Sequence, residues 1–420
     1  MMRNGPSSSP ASDVHPADAA GFAAIGRVRP ILAALMRAGD AIVFPPRTLL
    51  HAGPPYAPGQ RPPAPVANSA AAAVVFEGWA SDRSQALALI EAGEIRLAAA
   101  QDHRCVVPLA SVLSPSQQVQ VVRDAGGVAP AAFAPLNGGS GPALRLGLPG
   151  PQVVAHLRWL NGPFADAIRD ACGRGIELLP LADQALAMGD DCHGRTQAGT
   201  AVLLERLSLD RANANDGADT SVGIGIAQDF LAGSPSFFLN LWMAAVKCML
   251  GAAEGTAESA VVTAMGANGI DAGLRLASQP DSWHRCAASV PVGVKAPEFR
   301  QVQALPAVGD SGVVEAFGLG AMAFAHSPLQ QQALGAFMPE SAAALARALL
   351  SGPHPGLRAS EAWFGLSARA AITQRKTPAV VLGMLDASGR HGRIGAGIWH
   401  APASLFSEAA GAAGIHSSPR

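Results

Sequence analysis

The chain reads as a mixed α/β (α+β), multidomain protein, and three observations predict it. It has 420 residues, too many for one ordinary small core. Of these, 49% are hydrophobic, enough apolar surface to fill two or three cores. Short β-rich runs alternate with amphipathic helical segments toward both ends, while the middle is helical. The pattern divides the chain into a disordered tail at 1–22, an N-terminal α/β domain at 23–150, a helical middle region at 151–255 and a C-terminal α+β domain at 256–420.

The tail is polar and rich in Pro and Ser, without the basic-then-apolar plan of a signal peptide. Residues 22–44 read as helix and then extended chain. Residues 47–55 read as a strand running into a Gly/Pro turn, and 56–68 as a Pro-rich loop. The apolar run 70–80 predicts a helix, and 85–92 a short amphipathic one stopped at Gly93. Residues 95–98 and 119–122 read as strands. In the middle, 153–172 carries apolar residues at helical spacing. Helices at 176–187 and 198–208 flank a charged run, and 211–226 reads as a polar, Gly-containing loop. Ser234 and Pro235 suit the cap and first turn of a helix over 237–250. In the last third, 260–265 is a strand entering a turn at 266–269. Residues 313–324 and 342–350 are helical, 379–382 is a strand and 389–397 a Gly/Arg loop.

The net charge of −1 argues against a nucleic-acid footprint. No run of ~18 apolar residues is uninterrupted, so no transmembrane span is predicted. The five cysteines have no paired spacing, as expected of a reduced, cytoplasmic protein.

Chemistry is most concentrated at 188–200, where Asp190, Asp191, Cys192, His193, Arg195 and Thr196 sit together in a chain that is 15% charged. Burying these groups unpaired would cost several kcal/mol per charge, so the run should line a cleft or a subunit seam. One reading makes His193 an acid/base or carbonyl-polarising group held by an Asp, with Asp190 the candidate and Arg195 binding an anion. Another is a helix-end ion-pair network. A metal site of Asp190, Cys192 and His193 is the weakest, because metal ligands usually come from separate elements; no metal is predicted.

Asn240 and Lys247 are seven residues apart and share a face of an apolar helix. Lysine occurs at only three positions in the chain. Lys247 would hold a phosphate or carboxylate, or simply snorkel near the helix end. Residues 263–273 read as a hairpin with Asn268-Gly269 at its corner. Residues 308–315 read as a loop entering a helix, where Asp310 and Ser311 lie and where backbone N–H groups would suit an anion. The 389–397 loop would cradle a phosphate through Gly395 and Gly397, with Arg393 supplying charge. No Gly-x-Gly-x-x-Gly follows a strand with the right acidic residue downstream, so no dinucleotide, and no other cofactor, is predicted. These features together suit a small anionic substrate without naming a reaction.

Several segments taken in order carry a family resemblance: Thr48-Leu-Leu-His-Ala-Gly-Pro-Pro55, Phe76-Glu-Gly-Trp-Ala80, Met188-Gly-Asp-Asp-Cys-His-Gly-Arg195, Phe237-Phe-Leu-Asn-Leu-Trp-Met-Ala244, Val262-Thr-Ala-Met-Gly-Ala-Asn-Gly269, Gly309-Asp-Ser311 with Gly318-Leu-Gly320, and Ile394-Gly-Ala-Gly397. Over roughly 25–410 the chain resembles the YlbE/AllG-like family. Where that family carries Gly-Pro-Met and Asn-Thr-Gly-x-x-His elements, this chain has blander sequence at 61–68, 101–109 and 381–386. The resemblance implies a subunit of an oxamate carbamoyltransferase in anaerobic allantoin degradation, converting oxalurate and phosphate into oxamate and carbamoyl phosphate. It implies a multisubunit complex with FdrA-like (AllF) and YlbF-like (AllH) partners, and leaves homo-oligomerisation open. A non-catalytic structural or regulatory subunit and a metal-dependent amide hydrolase are the alternatives. In the carbamoyltransferase reading His193 polarises the carbamoyl oxygen or acts as base. Arg195, Arg275, Lys247 and Arg393 bind anions, and Asn268 and Ser311 donate hydrogen bonds.

Overall fold

The computed structural model describes residues 14–212 and 218–415. The tail expected at 1–22 lies outside the described residues as far as 13. From Pro16 the chain is instead helical (Pro16–Arg27), with Pro in the first turn and the His15 side chain accepting from the Ala17 N–H. Its Asp18 is buried and accepts hydrogen bonds from the Ala260 N–H and the Ser367 hydroxyl, both at 2.7 Å. Partners more than 240 residues away order a segment whose local composition reads as a tail.

The fold is mixed α/β with several small sheets. In the first, all antiparallel, the order is Ala132–Pro135, Gln118–Asp124, Pro30–Arg37, Ile176–Glu177. The second joins Arg96–Ala99, Thr48–His51 and Val112–Leu113, with the first two parallel. A parallel pair needs a crossover, and helices Ala64–Phe76 and Arg83–Glu91 supply it. The third sheet is the Val262–Asn268/Asp271–Leu276 hairpin flanked by Gln279–Ala287 and Val308–Gly309. The fourth has Arg393–His400 between Val292–Lys295 and Ala379–Leu385.

Helix Phe237–Gly251 is buried along nearly its whole circumference and packs against the first and third sheets. A helix that is apolar all round belongs inside a core. The main core extends from Phe22 through Trp242 to Phe406 and Ile415, drawing on all three of the regions expected from sequence. A second core gathers under the two crossover helices and helix Pro151–Trp159.

Three local expectations are corrected. The Pro-rich loop at 56–68 becomes helix from Ala64, because Pro65 falls in the first turn, where its missing N–H costs nothing. The loop at 211–226 is helical at both ends, in Gln197–Ala212 and Ala218–Ala232; residues 213–217 lie outside the described residues. The Gly/Arg loop at 389–397 is strand from Arg393 on, and as the middle strand of its sheet it is paired on both sides. Among the described residues no helix is long and apolar enough to cross a membrane.

Candidate functional site

The 188–196 run folds into a tight knot, in which Asp190 Oδ1 and Arg195 Nε, 3.4 Å apart, and Asp191 Oδ2 are buried without a hydrogen bond. Asp191 Oδ1 accepts the N–H groups of His193 (2.7 Å) and Arg195 (3.2 Å), and Cys192, between Asp191 and His193, takes φ 62°. Asp190 accepts the Gly199 N–H at 2.8 Å, inside the first turn of helix Gln197–Ala212, and its other oxygen lies 3.4 Å from Arg195 Nε. Asp190 does not hold His193. That partner is Glu315, whose two oxygens lie 2.7 and 2.9 Å from His193 Nδ1. Glu315 also accepts the Val381 N–H at 3.1 Å. Burial pulls the His193 pKa down, but the Glu315 carboxylate outweighs it and holds the imidazole above its ordinary range. Burial pushes Asp190 up to about 6. It also raises the Cys192 thiol, with Asp190 and Asp191 adding to the effect, and the sulfur sits 3.8 Å from the Ala182 carbonyl.

Beyond the short helix Gly312–Phe317, which carries Glu315, lies a polar seam. Here the turn after Thr48–His51, the 3₁₀ turn Ala100–His103, the hairpin Val262–Leu276 and the 309–311 loop meet. Asp310 ties them together. Its Oδ1 accepts the Gly53 N–H (2.8 Å) and Gln101 Nε2 (2.7 Å), and its Oδ2 accepts the Val107 N–H (3.0 Å). Full burial pushes this carboxyl up to about 7 against those three donors. Gln101 Nε2 also reaches the Met265 carbonyl. Gly53 has φ 77°, and a Cβ there would stand 2.3 Å from the Ala267 carbonyl carbon, so only glycine permits the approach.

Of the residues picked out from sequence, Lys247, Asn268, Arg275, Asp310 and Ser311 converge on this seam. Lys247 Nζ donates to Glu254 (2.9 Å) and the Thr263 carbonyl (3.1 Å). Arg275 pairs with Asp102 and stacks on Trp283 at 4.6 Å. Asn268 bonds inward: its Nδ2 donates to the Pro54 carbonyl, and its Oδ1 accepts the Ile270 and Asp271 N–H groups. Its side chain therefore shapes the corner. Ser311 is buried at the start of the Gly312–Phe317 helix without making a side-chain cap bond.

Four buried polar atoms in the seam have no protein partner: His51 Nε2, Gln101 Oε1, Thr263 Oγ1 and Arg275 Nε. His51 Nδ1 lies 2.7 Å from the Ala52 carbonyl, which only an Nδ1–H can satisfy. Burial lowers the His51 pKa to about 4, so near neutral pH the ring is uncharged and Nε2 carries a free lone pair. The seam reaches solvent at Asp102, whose side chain is 35% exposed.

A third place takes the rest. Asn240 lines a narrow cleft, a space for very small molecules, with Ser111, Gln117, Asn137, Arg145 and His156. Its Nδ2 donates to the Pro135 carbonyl and its Oδ1 accepts from Asn137. Arg393 lies on the Arg145 side, its Nε donating to the Gly395 carbonyl. Gly395 and Gly397 do not form a phosphate cradle. Their strand is paired on both flanks, and a Cβ at either would run into Val294 or Val292 of the neighbouring strand.

Sequence reasoning therefore missed Glu315, His51, Gln101 and Arg145. His51 and Glu315 each sat inside a segment already noticed. Arg145 offered one signal, a lone charge in the apolar Leu144-Arg-Leu146 turn.

The family described as oxamate carbamoyltransferase subunit AllG matches residues 95–311. The chain is 32% identical over 374 residues to the oxamate carbamoyltransferase subunit AllG of Escherichia coli (strain K12), spanning 86% of this chain and 88% of that protein. It is 30% identical over 375 residues to the uncharacterized protein YahG of the same organism, covering 86% and 78%. A crystal structure of a conserved protein of unknown function from Enterococcus faecalis V583 shares the fold. Its TM-score is 0.86 at 26% identity, over 94% of this chain and 96% of that one.

Proposed function

The chain belongs to the AllG family, and from that premise we propose that it is a cytoplasmic carbamoyltransferase subunit working with FdrA-like and YlbF-like partners. The reaction is the exchange of oxalurate and phosphate for oxamate and carbamoyl phosphate. A phosphate oxygen attacks the terminal carbamoyl carbon, the bond from that carbon to the inner nitrogen breaks, and the departing nitrogen takes a proton to become the oxamate amide. Such a transfer needs donors for the developing oxyanion, a proton carrier and cations for the two anions.

The observation that carries this reading is the seam. Segments scattered from 48 to 311 come together there and present an uncharged imidazole lone pair, an amide carbonyl, a hydroxyl and a guanidinium N–H without protein partners. That mixture of acceptors and donors matches a carbamoyl group, which offers N–H donors and a carbonyl acceptor. Lys247 and Arg275 lie beside it, each already paired with a carboxylate, Glu254 and Asp102, that an incoming anion would have to compete with. In this scheme His51 Nε2 handles the proton, while His193 and Arg195 act from behind the Gly312–Phe317 helix as positioning residues.

The test is reconstitution with the FdrA-like and YlbF-like subunits, oxalurate and phosphate, followed by assay of carbamoyl phosphate. A correctly assembled complex that yields none sinks the proposal. His51→Gln should slow turnover about 10²–10⁴-fold with assembly intact; unchanged turnover removes His51 from the chemistry. The closed His193–Glu315 pair favours a second reading, a structural or regulatory subunit. In that case changes at His193 and Arg195 impair assembly and leave turnover per assembled complex unaltered.

A further inference from the structure

Arg145 is a buried cation, 8% exposed, presented by the 3₁₀ turn Leu144–Leu146. Its Nε and Nη2 donate to one acceptor, the Gly139 carbonyl, at 3.1 and 2.7 Å. Among the described residues no carboxylate pairs with it. The charged neighbour it does feel is Arg393, of the same sign. Buried charges are ordinarily paired, because an uncompensated one costs several kcal/mol of desolvation. Among the described residues the other strongly buried Lys and Arg follow that rule: Lys247 has Glu254 and Arg275 has Asp102.

Among the described residues the cleft against which Arg145 lies is lined by no acidic side chain. Its wall is held rigidly. Asn137 donates to the Ser236 carbonyl and to Asn240, and accepts the Gly139 N–H. His156 Nε2 lies 2.8 Å from the Gly138 carbonyl. The Gly138–Gly139 turn that positions the guanidinium is thus fixed from both sides. Donor capacity remains at Arg145 Nη1, at the Ser111 hydroxyl and at the Asn240 amide nitrogen, where one of two hydrogens is engaged.

We propose that this cleft, walled by Ser111, Asn137, Arg145 and Asn240, is a binding site for a small oxyanion, a carboxylate or a phosphate, that supplies the counter-charge Arg145 lacks. Guanidinium groups recognise both through paired, nearly parallel N–H donors. The cleft also touches the seam, since Pro108 and Ser111 line it while Val107 N–H binds Asp310 and Gly309 packs on Leu109. An anion here therefore sits one loop away from the Asp310 knot. The inference stands on the Arg145 geometry and not on the carbamoyltransferase reading.

The test is isothermal calorimetry on the isolated full chain at fixed ionic strength, with inorganic phosphate in one arm and oxamate in the other, against chloride. Saturable one-to-one binding in either arm is the expected result, and the arm that saturates identifies the anion as phosphate or carboxylate. Arg145→Gln should weaken it at least tenfold, and Ser111→Ala by a smaller factor while leaving the buried charge in place. Arg145→Met should unfold at a higher temperature than the anion-free wild type, because it removes an uncompensated charge. The proposal is overturned if neither anion saturates by about 10 mM, or if both Arg145→Gln and Ser111→Ala bind as the wild type does. No turnover is measured, so an inactive reconstituted complex leaves this result untouched, and the converse holds as well.

Discussion

His193 and Arg145 are both buried basic side chains, yet they face opposite surroundings. His193 sits against Glu315, whose carboxylate also takes a backbone N–H from the Ala379–Leu385 strand. Arg145 has a carbonyl, a second arginine nearby and an open cleft. The first arrangement is finished within the chain and joins three elements. The second is unfinished within the chain. The difference teaches that concentration of polar residues along a sequence marks a knot as readily as a binding site, and that missing counter-charge discriminates better.

The comparison breaks most visibly at Glu315. Replacing it with Ala takes away the carboxylate bonded to the His193 ring and orphans the Val381 N–H. We expect a loss of about 3–5 kcal/mol in urea-induced unfolding. A loss below about 1 kcal/mol would show that the knot does not hold the fold. Gly53→Ala comes next. Its Cβ would overlap the Ala267 backbone at a positive φ, and overpacking of this kind costs about 1–3 kcal/mol. Stability equal to the wild type would mean that the seam opens freely.

A third prediction concerns pH. His51 falls from 6.5 to about 4 in the fold, so the unfolded chain binds the extra proton in that window, and stability from His51 is lost as pH falls. Asp310 rises from 3.8 to about 7, so the folded chain binds the extra proton, and stability from Asp310 is lost as pH rises. The two slopes oppose each other between pH about 4 and 6.5. Urea midpoints across that range should show His51→Asn relatively stabilised by acid and Asp310→Asn relatively destabilised by it. Parallel curves for both variants would contradict the pairing. The smallest effect is expected at the Arg61–Glu91 pair, whose side chains are 78% and 60% exposed. Arg61→Ala should change stability by less than about 0.5 kcal/mol, and a larger loss would mean that exposed pairs here behave like buried ones.

The mixed α/β architecture was legible because apolar periodicity is local information. The Phe237–Gly251 helix was readable from its long apolar run, but its start was not: the cap falls at Ser236, which makes no side-chain cap bond, and Ser234 and Pro235 lie in the turn before it. The strand reading of 260–265 and its Asn268-Gly269 corner rested on equally short-range signals. The Arg393–His400 strand hid behind its glycines, which are there because neighbouring strands crowd them. Helix Pro16–Arg27 hid because Asp18 finds its partners across the whole chain. At the candidate site the residue types were legible and the pairings were not. His193 was visible, but Glu315 stands 122 residues away, and no spacing rule connects them. Arg145 is conspicuous only once its surroundings show that nothing answers its charge.

The Asp18 clasp also sets a timetable. Ser367 lies 349 residues beyond Asp18, and a ribosome adds ~5–20 residues per second. The first helix is therefore made on the order of 17–70 s before the hydroxyl that secures it exists. Through that interval its apolar face, with Phe22 and Ile25, has no completed core to enter. Apolar surface left open for that long is prone to aggregate until the rest of the chain arrives to cover it.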